Sequence, residues 1–162
     1  MNIKRLTALA GLSLILAASG APALAGETHP EHDHHTGTEQ KLQLDAGHKW
    51  ATDQPLRQAM DDINQAMTKA LPLIHQNRFS RTDYQSLARG IQQEVGYAVE
   101  HCKLEPDADA MLHIVITDLI AATEQMGGRT ATARHAGAAA VLRALQSYAA
   151  YFEHPGWKPV RG

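Results

Sequence analysis

"TDQPLRQAMDDINQAMTKALPLIH", residues 52–75, decides the fold. Leu56, Met60, Ile63, Met67, Ala70 and Ile74 recur at spacings of four, three, four, three and four. That is one apolar stripe of an amphipathic helix. Its start is marked by Thr52 or Asp53 as the capping residue. Pro55 falls in the first turn, where a missing N–H costs nothing. Pro72 kinks or ends the helix near residues 71–76.

The same period returns three times downstream. "SRTDYQSL" opens a second helix with Ser80 or Thr82 as cap, and its stripe is Tyr84, Leu87, Ile91, Val95, Ala98 and Cys102. Gly90 and Gly96 weaken this helix and leave room for a close neighbour. "LEPDADA" turns into a third helix, with Pro106 in its first turn and acids at the positive end of the dipole. Its stripe is Leu112, Val115, Ile116, Leu119, Thr123 and Met126, and the glycine pair at 127–128 stops it. A fourth helix runs from about Thr130 to Phe152, with Gly137, Val141, Ala144, Leu145, Tyr148 and Phe152 inward. No segment alternates as a strand would. Four helices of similar length on short connections predict an all-α, up-down-up-down antiparallel four-helix bundle spanning residues 50–162.

Upstream of the bundle the character differs. Residues 1–25 have a basic start at Lys4 and Arg5, an apolar run, and the small-x-small pattern Ala23-Leu24-Ala25. This reads as a signal peptide cleaved after Ala25, hence a periplasmic protein with no membrane span afterwards. The exported chain of 137 residues suits one domain. Removing Lys4 and Arg5 leaves 13 basic and 17 acidic residues, a net charge of −4 that argues against nucleic acid as a partner. Residues 26–49 are polar and aperiodic and read as a disordered arm.

The arm carries "THPEHDHHTG", residues 28–37, with His29, His32, His34 and His35 inside seven positions. Clustered neutral imidazoles chelate Cu(II), Ni(II) and Zn(II). The expected function is therefore binding or buffering of a transition metal, copper or zinc. A tighter internal site is expected where helix one starts, helix two ends and helix three starts. There Cys102, His113 and Met60 offer a soft donor set, with His154 or His101 as a further ligand. The bland readings are a buried thiol, core methionines, a boundary histidine and a solvated linker.

Two rivals remain. One is a non-catalytic interaction module, in which the aromatic bundle end docks a homodimer or a periplasmic partner, with Cys102 available for an intermolecular disulfide. The other is a haem-b cytochrome with Met60 as an axial ligand. Helix four, however, offers only His135 at its far end and His154 beyond its end. Haem c is not expected, since CxxCH is absent. No nucleophile–base order, paired carboxylates or phosphate loop points to an enzyme.

"LDAGHKWATDQPLRQAM", "CKLEPDADAMLHIVI" and "YFEHPGWKP" resemble small exported proteobacterial proteins labelled DnrO-like. The resemblance covers roughly residues 42–159. It implies an all-helical periplasmic domain and places Cys102 and His113 in one distinctive stretch. It implies no functional residue.

Overall fold

The computed structural model describes residues 41–162. The segment expected to be a signal peptide and the histidine cluster of the expected arm lie outside the described residues. The chain is a four-helix bundle: α1 (Gln54–His75), α2 (Arg81–His101), α3 (Pro106–Met126) and α4 (Ala131–Tyr151). The apolar stripes of α1, α3 and α4 are buried throughout, together with Tyr84, Ile91, Val95 and Ala98 of α2. They form one core cluster.

The caps explain the boundaries. Asp53 caps α1, its side chain accepting from the Leu56 N–H at 3.0 Å. Ser80 and Asp83 form a reciprocal capping box on α2. Thr130 accepts from the Ala133 N–H at 3.1 Å to start α4. Pro72 does not break α1, because it lies in the last turn, where the helix is about to end anyway. The exit is made by Asn77 at φ +55°, a left-handed residue that returns the chain towards α2.

The helices do not pack equally. α3 and α4 are the most intimate pair, followed by α1–α2 and α2–α3, whereas α1 and α4 barely touch. The α3–α4 intimacy depends on Gly137. A methyl group there would sit 2.6 Å from the Met126 nitrogen and 2.7 Å from the Ala122 carbonyl oxygen. By contrast, Gly90 and Gly96 of α2 have nothing within 4 Å of that position. The expectation that they admit a neighbouring helix is corrected: they face open space.

The open α1–α4 seam is closed by the chain's own last residues. Asn64 of α1 donates to the Lys158 carbonyl at 3.1 Å and accepts from the Val160 N–H at 2.8 Å. Trp157 and Val160 pack against the core. Val160 and Arg161 lie beside Leu71 of α1, and Gly162 lies close to Leu142 of α4. Residues 154–162 thus form a strap along the seam.

The segment before α1 also belongs to the folded body, which corrects the arm boundary at residue 49. Asp45 and His48 exchange backbone hydrogen bonds of 2.9 and 2.7 Å around Ala46 and Gly47. Both of those residues have positive φ, as a type I′ turn requires. Trp50 then pairs with the end of α4: its N–H donates to Tyr151 O and its carbonyl accepts from Glu153 N, both at 2.8 Å. Lys49 donates to Ala149 O at 2.6 Å. These bonds satisfy carbonyls that the last turn of α4 would otherwise leave open. Polar composition concealed this order, because backbone pairing leaves no hydrophobic period.

Candidate functional site

The bundle end where α1 starts and α4 finishes gathers the polar groups with the most constrained geometry. Tyr148 is fully buried on α4, stacked with Phe152 and edge-on to Trp157. Its hydroxyl lies 3.0 Å from Nδ1 of His154. The His154 side chain is only 6% exposed, and its Nε2 is 3.4 Å from Oδ2 of Asp61 on α1. The neutral tautomer that serves both neighbours carries its proton on Nε2 and accepts from Tyr148 at Nδ1.

Other groups extend this arrangement. Arg57 Nη1 donates to the carbonyl and to the hydroxyl oxygen of Thr52, and Thr52 in turn donates to Glu153 O at 2.5 Å. Outside His154 lies an open groove of about 730 Å³ whose lining includes Gln54, Arg57, Gln58, Asp61 and Asp62.

The electrostatics follow from burial. Loss of hydration pushes the Tyr148 hydroxyl well above the usual tyrosine range, so it stays a neutral donor. Burial also lowers the pKa of His154, with Arg57 acting in the same direction and Asp61 opposing both. A histidine lowered on folding stabilises the fold above its ordinary pKa near 6.5, and that contribution is lost as pH falls through the folded value.

The donors expected for an internal metal site stand in different settings. Met60 is sealed in the core at 2% exposure. His113 turns outward, 66% exposed, with Nδ1 2.9 Å from the Asp109 carbonyl and 3.3 Å from its carboxylate. Cys102 packs against the core as the last residue of the α2 stripe, but from just beyond the helix. The helix stops at His101, and Cys102 is the half-buried C-cap residue in extended backbone. Its thiol is pushed above the ordinary range by burial first, with Asp53 and Asp109 adding to the effect. Cys102 and His113 share the bundle end, each with Asp109 nearby. His101 is exposed, stacked on Tyr97, with Nδ1 on the Tyr97 carbonyl. His154 has both nitrogens engaged. Among the described residues, no three of His, Cys, Asp and Glu come together as metal ligands do. His29, His32, His34 and His35 lie outside the described residues.

The raised thiol pKa has a measurable consequence. Cys102 should react more slowly with a disulfide reagent near neutral pH than the same thiol in the unfolded chain. A rate equal to that of the unfolded chain would show that Asp53, Asp109 and burial do not protect it.

The aromatic end expected to dock a partner is largely committed internally. Tyr148 and Phe152 are buried, and the Trp50 indole donates to Gln43 O at 2.7 Å. Sequence reasoning singled out His154 but missed Asp61, Thr52 and Arg57. The only signal for them was "DD" on the shoulder of the α1 stripe, and it has no meaning until the register of α1 against α4 is known. Comparison with known protein families, curated proteins and solved structures finds no match to this chain.

Proposed function

We propose that this chain is an exported, non-catalytic transition-metal-binding protein whose ligands are the arm histidines. The four-helix domain is the folded body that carries them. The observation behind this reading is the density of donors: His29, His32, His34 and His35 within seven residues. Three imidazoles within four positions supply the nitrogen donors that chelate Cu(II) or Zn(II). The burial of Met60 and the outward, Asp109-paired setting of His113 favour the arm over an internal site. The basic start, apolar run and small-x-small motif of residues 1–25 support export to the periplasm.

The test is a competitive Cu(II) and Zn(II) titration of residues 26–162 against the same chain with His29, His32, His34 and His35 all changed to Ala. The parent should bind about micromolar or tighter, and the variant should weaken by at least about tenfold, because each lost imidazole removes a ligand. Binding by the parent should fall below about pH 6, where imidazole takes up a proton in competition with the metal. Cys102→Ala should leave stoichiometry and affinity unchanged. Equal binding by parent and fourfold variant would refute the arm as the ligand source.

A further inference from the structure

We propose that residues 154–162 are an acid-released latch, in which protonation of His154 lifts the strap from the α1–α4 seam while the four helices stay folded. This goes beyond the metal-binding reading and does not depend on it.

The strap is the one part of the described seam that is not helical, and it is held by two polar anchors and by the packing of Trp157 and Val160 against the core. His154 anchors its start, between Tyr148 and Asp61. The Asn64 carboxamide holds its middle at Lys158 and Val160. Between these anchors Gly156 turns at φ +81°, with Trp157 N–H donating to His154 O at 3.1 Å. A left-handed glycine at the turn lets the strap swing without strain elsewhere. The helices keep their mutual packing when it does, because α1–α2, α2–α3 and α3–α4 contacts do not pass through the strap.

His154 makes the docking pH-dependent. Docked, it is nearly buried and bonded as the neutral ring. A second proton must go to Nδ1, where it faces the Tyr148 hydroxyl and displaces the hydrogen that hydroxyl supplies. The groups facing His154 are Asp61 and Arg57 from α1 and Tyr148 from α4, with Asp62 further along the same groove. Asp61 favours the imidazolium. Burial and Arg57 oppose it, and their sum holds the docked ring below its ordinary pKa. Once released, the ring is hydrated and takes up a proton at its ordinary pH. Protons therefore bind the released strap better than the docked one, and mass action shifts the population towards release as pH falls below about 6.5.

Amide hydrogen exchange on the full chain tests this, with rates corrected for intrinsic pH dependence. Between about pH 7.5 and about pH 5.5 the opening of residues 156–162 should rise, by no more than about tenfold per pH unit, the limit for one proton. The amides of α1–α4 should keep their protection. His154→Gln should flatten the pH dependence. Asn64→Ala should raise opening at every pH and keep the slope. An NMR titration of the parent gives a readout that needs no variant: the His154 resonance should titrate below the ordinary histidine range. The proposal fails if strap opening does not change with pH, if the helices open in step with the strap, if His154→Gln keeps the parent's slope, or if His154 titrates at or above the ordinary value.

Discussion

Gly137→Ala destabilises the fold by about 2–3 kcal/mol and lowers the melting temperature by about 10 °C. The added methyl meets backbone on two sides, the Met126 nitrogen at 2.6 Å and the Ala122 carbonyl at 2.7 Å, as well as Cγ of Met126 at 2.8 Å. Backbone cannot rotate away as a side chain can, so α3 and α4 must separate. That loosens the core cluster that contains the fully buried Val115, Leu119, Val141 and Leu145. Alanine's better helix propensity returns about 1 kcal/mol, which does not offset the overlap. Gly90→Ala and Gly96→Ala are the controls. Each gains the same propensity with nothing within 4 Å to resist it, and each should stabilise by up to about 1 kcal/mol. Thermal denaturation of the three variants separates close approach from propensity. Equal effects at all three positions would mean that α3 and α4 can part freely.

Asp53→Ala should cost about 2–3 kcal/mol, more than the loss of an ordinary helix cap. One oxygen accepts from the Leu56 N–H at 3.0 Å, and the other accepts from the Lys103 N–H at 2.6 Å in the α2–α3 connection. A single carboxylate therefore caps α1 and pins the loop that follows α2. Asp53→Asn separates the two roles. Its amide oxygen still serves Leu56, but its NH2 group cannot accept from Lys103. Asparagine should recover about 1 kcal/mol of the loss, the worth of the cap alone. If alanine and asparagine are equally damaging in urea denaturation, the Lys103 bond carries the whole effect. If asparagine is harmless, that bond contributes nothing.

Much of this fold is legible in the sequence. The stripe from Leu56 to Ile74 repeats over five helical turns, and such a pattern has no competing explanation in a strand or loop. The same holds for α3 and α4, and the caps of α1 and α2, Asp53 and Ser80, are each one of the two residues local chemistry offers. Cys102 shows where periodicity overreaches. It continues the α2 spacing in sequence and packs against the core, but the helix has ended one residue earlier and the side chain is only half buried. The turn at Asp45–His48 and the Trp50 pairing were hidden because backbone hydrogen bonds impose no composition. The Tyr148–His154–Asp61 arrangement was hidden for a different reason. It joins α4, the strap and α1 across about ninety positions of sequence, and only the packing register brings them within hydrogen-bonding reach.

The pairing of residues 49–53 with the end of α4 also bears on the order in which the molecule assembles. Thr52 and Glu153 are 101 residues apart in the chain, and Lys49 and Ala149 are 100 apart. Closing loops of that length is entropically costly, whereas each helical hairpin closes across a connection of a few residues. The hairpins therefore form early in folding. The clasp between the two ends of the folded body comes late, after the bundle has already brought them together. Such late contacts are absent from the transition state, so strengthening them slows unfolding and leaves the folding rate nearly unchanged. The place to lengthen the lifetime of this protein is thus the clasp around Trp50, and the core layers are the place to change how fast it folds.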